Sequence, residues 1–514
     1  MTDTNKTSGN FDFIVVGGGS AGAVMAARLS ESGTKNVLLI EAGKRYEAWD
    51  YPLHIASADK PGGDTAHNWG YCSQPNAGYK MMELPRGKVL GGSSAINGAV
   101  ALRARSEDLK KWDLPGWSYS DMLPYYKKLE TSDSGNEEHR GFKGPIPTRQ
   151  LLRSDLTAMQ NAFVDSALSI GYKAVDDFDG PEANGVGPYR MNVVNGVRVN
   201  TGMAYLTNEV RRRENLTILP YVIVDRVLFD GANAEGVVLG NGKKFNAKEI
   251  ILSAGTYGTA AILLRSGIGA KSELENLAIP VVADLPVGQH IKDHPFYNVP
   301  FAAYSENVTE KSPIIGTKLW TSATGTKDEL DLHIIAAHTF PDDQSPTGSG
   351  FVLSASVTKP ISRGKVWIDT KDPNAAPKID LNFLGNTEDV NRMVEAVKII
   401  RRIASAAPLS NFIHSEIAPG GTVQSDEMLA ETIKANVESY AHPVGSAPMG
   451  ATDGGHAVVD LQGKVYRVNG LRVADASIFP DIISVATNIT VIATAEKIAD
   501  QIITSDFTNA PTFE

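Results

Sequence analysis

The sequence predicts a two-domain α/β protein, with one domain built on a mainly parallel sheet and a second domain on an antiparallel sheet. Two strand–glycine turn–helix units, in residues 11–43 and 249–267, indicate the parallel sheet. Strand-like runs at 330–337, 351–357 and 364–369, followed by a long helical pattern, indicate the antiparallel one. The length of 514 residues exceeds one ordinary domain, which also favours two joined domains.

The first unit begins with a buried strand and a glycine turn. Residues 11–16 (FDFIVV) form an almost continuous apolar run, as expected of a strand covered on both faces. Gly17, Gly19 and Gly22 fit G-x-G-x-x-G, in which the glycines allow a sharp turn, close approach to a pyrophosphate and close helix packing. A helix over 20–32 would direct its N-terminal amides at the phosphates. The unit therefore predicts a Rossmann-like domain that binds a dinucleotide.

An acidic residue ends the second strand of this unit. Residues 37–40 form the strand, and Glu41 follows it, nineteen residues after Gly22. A carboxylate at this position accepts hydrogen bonds from a ribose hydroxyl and disfavours a 2′-phosphate. FAD or NAD is therefore favoured over NADP, and this stretch alone leaves the choice between FAD and NAD open.

A second unit of the same kind lies in the middle of the chain. Residues 249–253 form a buried strand, Ala254 and Gly255 form its turn, and a helix over 258–266 is closed by Gly267. We expect this unit to lie beside the first and to line the same ligand.

Residues 84–98 (LPRGKVLGGSSAING) are rich in glycine and serine but too apolar for a free loop. Small residues of this kind are needed where backbone passes close to a ligand. An ordinary tight turn before a helix explains the composition equally well, so both interpretations stay open at this point.

The rest of the chain supplies further elements. We predict a surface helix pair with aromatic anchors at 108–132, a linker or mobile loop at 133–150, an amphipathic helix at 156–170, paired strands at 215–239, a long helix at 389–406, a strand ending in an acid at 471–475 and a closing helix at 489–503.

Composition excludes several classes of protein. Hydrophobic residues make up 42% and charged residues 21% of the chain, which is typical of a globular protein. The net charge of −10 disfavours a nucleic acid or an anionic membrane as partner. Cys72 is the single cysteine, which excludes an internal disulfide and a cysteine-rich metal site. We predict no metal site.

The sequence carries no recognisable targeting or membrane segment. Residues 1–10 lack the apolar core of a signal peptide, and no run of about 18 apolar residues occurs. We therefore expect no membrane span, and a cytoplasmic location by default. Residues 1–9 and 506–514 are expected to be tails.

Ordered stretches along almost the whole chain resemble the motifs of the glucose–methanol–choline (GMC) flavoprotein oxidoreductases. Besides the glycine motif with Glu41, these are 85–98, 255–269, 285–295, 362–366, 442–445 and 475–480. One departure is Ala260, where the second signature usually has Pro or Ser. The pattern is near that of members resembling pyridoxine oxidase, aryl-alcohol oxidase or hydroxymethylfurfural oxidase.

The resemblance implies FAD, held by a discontinuous α/β domain, with a substrate domain of antiparallel sheet and flanking helices over the isoalloxazine. The implied FAD-binding segments are 10–45, 68–130, 205–295 and 455–505. The implied substrate domain and lid segments are 46–67, 131–204 and 296–454.

The family's cofactor contacts carry over residue by residue. The glycine turn (Gly17, Gly19, Ser20, Ala21, Gly22) would meet the pyrophosphate, Glu41 with Ala42 the adenosine ribose, and Val224 the adenine. The remaining expected cofactor residues are Arg86, Val89, Gly91, Gly92, Ser94, Asn97, Gly98, Ala254, Gly255, Asp475, Ala476, Asn488 and Ile489. Some members attach FAD to a histidine where this chain has Ile96, so we expect non-covalent FAD.

Oxidising an alcohol with a flavin requires a base beside the carbinol carbon while hydride passes to the flavin N5. Histidine suits this role because its pKa lies near working pH. His442 matches the family's catalytic histidine and is the predicted base. His294, between Asp293 and Pro295, is interpreted as a structural residue that holds a turn.

The family's second catalytic position departs in this chain. A His or Asn is usual about forty-four residues after the first histidine, but Ala486 occupies that position. Asn488 is kept, and we expect it at the flavin end. The missing hydrogen bond is then supplied by substrate, water or another side chain, with Tyr440 as a candidate; a shift of register that brings in Thr487 is disfavoured by the flanking residues.

We therefore predict an FAD-dependent alcohol oxidase or dehydrogenase that converts a primary alcohol, aromatic or heteroaromatic, to its aldehyde. The room left by Ala486 suits a bulky substrate. Oxygen or another acceptor would reoxidise the flavin. Two alternatives are a hydroxynitrile lyase-like enzyme with structural FAD and a flavin-binding protein without catalysis. The oligomeric state is not predicted.

Overall fold

The computed structural model describes residues 11–75, 80–326 and 329–508. The predicted tail 1–9 and the end of the C-terminal tail, from 509 onward, lie outside the described residues. Within these ranges no helix has the length and apolar character needed to cross a membrane.

The strands fall into two large sheets and several small pairs. In chain order they are β1 Phe11–Val16, β2 Val37–Ile40, β3 Tyr71–Cys72, β4 Glu83–Leu84, β5 Glu130–Ser132, β6 Ile146–Gln150, β7 Gly185–Pro188, β8 Arg190–Met191, β9 Val193–Val194, β10 Val197–Arg198, β11 Leu216–Leu219, β12 Val224–Asp230, β13 Asn233–Leu239, β14 Lys244–Leu252, β15 Ile268–Gly269, β16 Ala283–Asp284, β17 Pro295–Ala303, β18 Ile315–Thr321, β19 Leu332–Ala337, β20 Gly350–Val357, β21 Lys365–Trp367, β22 Lys378–Asp380, β23 Ile413–Glu416, β24 Glu438–Ser439 and β25 Leu471–Val473.

The α-helices are, in the same order, α1 Gly22–Leu29, α2 Leu53–Ala56, α3 Ser106–Trp112, α4 Tyr119–Leu129, α5 Ala158–Ser169, α6 Thr201–Ala204, α7 Asn208–Arg211, α8 Gly255–Arg265, α9 Lys271–Asn276, α10 Thr387–Ala404, α11 Asp426–Asn436 and α12 Asn488–Thr508.

The first large sheet has the order β11–β2–β1–β14–β13–β12, and β25 also pairs with β14. Strands β11, β2, β1, β14 and β25 are mutually parallel, so their carboxyl ends lie at one edge. Ile14 and Val15 are fully buried, as expected of a central parallel strand, and α1 packs against β1 and β2. The two predicted strand–glycine–helix units supply β1 with α1 and β14 with α8, and they lie side by side.

The second large sheet has the order β23–β17–β20–β19–β18–β7, with β24 also paired to β17, and all its pairs are antiparallel. Helices α5 and α10 pack on one face of this sheet. Side chains alternate between faces along a strand. Leu319 and Ile334 therefore point toward the helices, while Lys318 and His333 point the other way, into the cavity described below. The predicted α/β class with a second, antiparallel domain is confirmed.

Several predicted elements are corrected by the structure. Residues 215–239 form not one strand pair but the parallel strand β11 and the hairpin β12–β13. Tyr221, with φ of 62°, turns the chain between β11 and β12. The run 364–369 contains β21, which pairs only with β22, outside the antiparallel sheet.

The predicted linker 133–150 is also wrong in part. Its end forms β6, which pairs with β5 and β8. Arg140 is buried and forms ion pairs with Asp177 and Asp179, at 2.6 and 2.8 Å. The polar composition therefore reflects a buried ion-pair network as well as exposed loop.

One buried ion pair joins α1 to α12 and closes the first domain. The Glu496 side chain is fully buried and accepts hydrogen bonds from Arg28 Nη2 at 2.8 Å and Nε at 2.9 Å. Lys128 and Tyr205 complete its contacts, at 3.1 and 2.9 Å.

We predict that Arg28→Met destabilises the protein by about 3 kcal/mol, because it removes the main partner of a buried carboxylate. The matched control is Arg45→Met, which removes an exposed ion pair with Glu47 and should cost less than about 1 kcal/mol. Thermal unfolding of both variants at equal FAD content makes the comparison. Equal shifts of the unfolding midpoint would contradict the prediction.

Candidate active site

One long cavity of about 700 Å³ lies between the two large sheets. Its lining includes the residues that follow the carboxyl ends of β1, β2, β14 and β25, together with Lys318 of β18 and His333 of β19. Ligands of open α/β sheets bind outside the carboxyl ends of the strands. The cavity therefore joins a nucleotide end on the first sheet to a second end under the antiparallel sheet.

The glycine turn after β1 is packed too tightly for side chains. Gly17 has φ of 96°, and a Cβ on Gly22 would lie 1.8 Å from the Gly17 carbonyl oxygen. A Cβ on Gly92 would lie 2.6 Å from Gly19 Cα, so the segment after β4 rests directly on the turn. Gly91 N donates to Gly18 O at 2.7 Å. Of the two interpretations of residues 84–98, close backbone contact with a ligand site fits this packing.

Glu41 is buried at the end of β2 and fixes the same turn. Its carboxylate accepts hydrogen bonds from Gly18 N and Gly43 N, both at 2.7 Å. Burial raises the pKa of Glu41 to about 7. The carboxylate also lines the cavity, where the ribose contact was predicted.

Asp475 joins β25 to the start of α8. One carboxylate oxygen accepts from Gly255 N at 2.8 Å and Thr259 Oγ1 at 2.6 Å, and the other from Ser477 N and Oγ, at 2.8 and 2.5 Å. Burial raises the pKa of Asp475 despite these donors. The end of β25 is thus held against the glycine turn that begins α8.

The far end of the cavity contains His442, and Asp293 positions its backbone. Asp293 accepts from the backbone N–H of His442 at 2.8 Å and of His294 at 2.7 Å, and from Ser439 Oγ at 2.6 Å. Burial raises the pKa of Asp293 to about 6. Arg86 Nη2 donates to Ala441 O at 2.5 Å, which anchors the same loop from the nucleotide side.

A hydrogen-bonded chain fixes the tautomer of His442. His294 Nε2 lies 3.1 Å from the Thr358 carbonyl oxygen, so Nε2 carries the proton. Burial lowers the pKa of His294 to about 4, so its Nδ1 is an acceptor at neutral pH. The two Nδ1 atoms of His294 and His442 are 3.0 Å apart, and with this tautomer of His294 the donor between them is His442 Nδ1. The lone pair of His442 is therefore on Nε2.

The surroundings keep His442 neutral. Its enclosed position lowers the pKa well below the ordinary value, and nearby His294 and Arg86 lower it further. His442 lines the cavity, and its ring lies 4.6 Å from that of Tyr440. A neutral imidazole with a free Nε2 can accept a proton from a bound hydroxyl group.

Family models for GMC oxidoreductases match residues 11–296 with their N-terminal part and residues 360–495 with their C-terminal part. The chain belongs to the GMC oxidoreductase family.

Characterised relatives include oxygen-dependent choline dehydrogenases. Those of Pectobacterium carotovorum and Pseudomonas putida are 36% and 35% identical over 533 and 536 aligned residues, and each alignment covers 96% of this chain and 94% of the relative. Among solved structures, pyridoxine 4-oxidase from Mesorbium loti has a TM-score of 0.87 and 28% identity, covering 96% of this chain and 99% of that one. A fungal aryl-alcohol oxidase, with a TM-score of 0.83 and 24% identity over 97% and 99% of the chains, shows the shared fold.

This GMC oxidoreductase is thus an FAD-dependent enzyme that acts on CH–OH donors. Its residues fit the cofactor: Gly17, Gly22 and Gly92 leave no room for a Cβ, and Tyr257 Oη is buried beside the cavity without a hydrogen-bond partner among the described residues. Trp69, Tyr71 and Tyr257 form an aromatic wall, with ring centroids 5.7 and 5.8 Å apart. Sequence reasoning missed this wall, although Tyr257 lies within the second family signature.

Most of the predicted cofactor residues line the cavity. They are Gly17, Gly19, Ser20, Ala21, Glu41, Ala42, Arg86, Gly92, Asn97, Gly98, Val224, Ala254, Gly255, Asp475, Ala476 and Asn488. Five others do not line it: Gly22, Val89, Gly91, Ser94 and Ile489. Ser94 Oγ donates to Gly91 O at 2.5 Å. At least Ser94 and Gly91 therefore stabilise the segment 84–98 from its side away from the cavity.

The residues predicted at the reacting end can now be located in the structure. His442, Tyr440 and Ala486 all line the cavity. Asn488 begins α12, also lines the cavity, and accepts from Ser20 Oγ of the glycine turn at 2.7 Å through its Oδ1. Its place at the flavin end stays a prediction. The interpretation of His294 as a turn residue is wrong: Asp293 holds the turn, and His294 contacts His442.

The predicted lid segment 46–67 covers one side of the cavity through Pro61 and Gly62. Asp64 lies between His54 and His67, at 2.9 and 2.6 Å, and the ligand atoms of the three residues lie within 4.8 Å of one another. Hydrogen bonding within the group accounts for this arrangement and ties the lid together.

We predict that Gly22→Ala lowers FAD retention, because the new Cβ must displace the Gly17 carbonyl, at a cost of about 1–3 kcal/mol. The control is Gly421→Ala, at an exposed turn where a Cβ meets nothing within 4 Å. The ratio of flavin to protein absorbance after purification measures the effect. Full flavin content in Gly22→Ala would contradict the tight packing described here.

Proposed function

We propose that this protein oxidises a primary aromatic or heteroaromatic alcohol to its aldehyde, with His442 as the single base and FAD bound non-covalently. The observation that carries the proposal is the chain from Thr358 O through His294 to His442, which leaves an unprotonated Nε2 beside the cavity.

The proposed chemistry starts with the substrate hydroxyl group donating to His442 Nε2. FAD, when bound, supplies the acceptor for the hydride of the carbinol carbon. As the hydroxyl proton moves to Nε2, His442 becomes an imidazolium whose Nδ1–H still donates to His294. That hydrogen bond strengthens when the donor is charged, so His294 supports the protonated form. The products are the aldehyde and a protonated His442.

The single-base part of the proposal is supported by the residues at the family's second catalytic position. Val485 and Ala486 line the cavity there, and neither side chain can donate or accept a hydrogen bond. Ile96 also lines the cavity, which supports non-covalent FAD because isoleucine has no group that can bond to the cofactor.

An aromatic substrate is supported by the lining of the same end of the cavity. Val100, Leu102, Tyr189, Ile315 and Tyr440 surround it. Apolar and aromatic walls with few polar groups are typical of sites for ring-containing ligands. The similarity to pyridoxine 4-oxidase, whose name indicates a heteroaromatic substrate, agrees with this choice.

The remaining predictions stay proposals. We propose the domain segments given above and a cytoplasmic location. Oxygen or another acceptor would reoxidise the flavin; the name of the choline dehydrogenases supports oxygen. Parallel assays with oxygen and with a dye acceptor distinguish the two.

We predict that anaerobic mixing with benzyl alcohol bleaches the oxidised flavin, and that His442→Ala slows this reduction by roughly 10²–10⁴-fold, because proton transfer loses its base. FAD content should be unchanged. Turnover of cyanohydrins without bleaching would instead favour the lyase alternative. Bleaching by no alcohol at all would count against an oxidase.

The low pKa of His442 predicts how the rate of flavin reduction depends on pH. His442 acts when neutral, and its pKa lies well below 6.5, so flavin reduction should stay at its plateau as pH falls from 8 to 6.5 and decline only at lower pH. Stopped-flow reduction rates across this range measure the profile. A decline centred at or above pH 6.5 would contradict the neutral-histidine description.

His294 is proposed as a positioning residue. His294→Leu removes the acceptor for His442 Nδ1–H and should slow flavin reduction roughly 100-fold. His294→Gln should recover most of the rate, since its amide can accept from His442 and donate to Thr358 O. Reduction rates at equal FAD content and equal unfolding midpoint measure the effect. Equal loss in both variants would indicate a purely structural role.

A further inference from the structure

Lys318 is a buried amine without an ion-pair partner among the described residues, in the wall of the substrate end of the cavity. Its side chain points from β18 into the cavity, and the residue is 1% exposed. Its Nζ lies 3.8 Å from the ring centroid of Trp320, 4.3 Å from that of Phe178 and 5.8 Å from that of Tyr189. Within the described chain, no side chain forms an ion pair or hydrogen bond with this ammonium group.

The carboxylate nearest in effect to Lys318 already has other partners. Asp179 is the acid with the clearest electrostatic influence on Lys318, but its carboxylate pairs with Arg140 at 2.8 Å and accepts from Arg103 N at 2.9 Å. The acids that line the cavity among the described residues are Glu41 and Asp475, both at the nucleotide end. The substrate end thus contains the amino group of Lys318 and no carboxylate among its described lining residues.

An isolated buried ammonium is costly unless a partner arrives. Aromatic faces offset part of that cost through cation–π attraction but leave the hydrogen-bond donors of Nζ free. Burial also lowers the pKa of Lys318 well below its ordinary value. An anionic ligand group would supply both the missing charge and the missing acceptors.

We propose that Lys318 binds a carboxylate on the substrate, at the end away from the reacting hydroxymethyl group. This inference rests on the proposed function of His442. The preferred substrate class is then a hydroxymethyl-substituted aromatic carboxylic acid, since one amino group, once protonated, offsets the single charge of one carboxylate.

The wall between the two ends supports this geometry. The ring of His442 lies 4.6 Å from Tyr440, and Tyr440 lies 5.6 Å from His333. Tyr189 Oη lies 2.7 Å from His333 Nε2, and Lys318 follows next to the Tyr189 ring. An aromatic ring lying along this wall can present one substituent to His442 and another to Lys318.

The same arrangement disfavours a quaternary ammonium substrate. A cationic substrate would face Lys318 without a carboxylate to offset it. Choline, which appears in the name of the related choline dehydrogenases, is therefore expected to be a poor substrate of this protein.

The test compares 4-(hydroxymethyl)benzoate with 4-methylbenzyl alcohol, which has the same reacting group and a neutral substituent. Wild-type kcat/KM should favour the acid by roughly 10- to 100-fold, as expected of a charge-assisted hydrogen bond. Lys318→Met should abolish this preference mainly through KM and leave the neutral alcohol within about threefold; Lys318→Gln is the second variant, in case the first folds poorly.

The matched control is Arg105→Met. Arg105 lies 5.3 Å from the same Trp320 ring, but it does not line the cavity. The preference for the acid should persist in this variant. Loss of the preference in both variants would overturn a direct contact with Lys318.

A binding measurement separates this inference from the proposed function. Benzoate should perturb the flavin absorbance spectrum of the wild-type protein, with a dissociation constant raised roughly 10-fold or more in Lys318→Met. If benzoate binds in this way while no alcohol bleaches the flavin, the anion site stands and the oxidase proposal fails. If neutral alcohols bleach the flavin but benzoate binds both proteins equally, or choline is oxidised as well as the acid, the anion site is overturned.

Discussion

The buried carboxylate of Asp293 is the contact on which the reacting end of the site depends. It accepts the backbone N–H groups of both His294 and His442 and thereby sets the positions of two rings that lie far apart in sequence. The rings then meet edge to face, 5.2 Å apart between centroids. Because the hydrogen bonds originate on backbone, the side chains stay free for proton chemistry. Loss of this carboxylate would affect both histidines at once.

The two sheets contribute different halves of the chemistry. The parallel sheet presents strand ends and glycine turns, which suit a long dinucleotide because backbone can approach it closely. The antiparallel sheet presents one face of alternating side chains, which is where Lys318, His333 and the backbone of Thr358 come from. His294 lies just before β17 and Thr358 just after β20, so strand pairing fixes their separation. The cofactor end is thus made by backbone and the substrate end by side chains.

The sequence predicted the parts that depend on local pattern. The glycine turn, Glu41 and the second strand–glycine–helix unit could be placed because dinucleotide-binding units of this kind have a regular spacing of glycines and acid. His442 and the family followed from ordered motifs. The contact between His294 and His442 could not be found, because the residues are 148 positions apart and neither segment is periodic. The contact between Asn488 and Ser20 could not be found either, because these residues are 468 positions apart.

The alanine at position 486 is easier to understand once His294 is considered. A catalytic histidine needs one partner to fix its tautomer and, in many relatives, a second polar group on the substrate side. Here His294 is the partner that fixes the tautomer, and its own Nε2 proton is donated to the Thr358 carbonyl oxygen. His442 is therefore oriented whether or not residue 486 is polar. Replacing a polar residue by alanine removes a contact to substrate and gains space, which suits a ring whose far end is held by another group. In the proposed function, Ala486 and Lys318 are then two parts of one specificity: Ala486 reduces polar contact at the reacting carbon, and Lys318 binds the substituent at the far side of the ring.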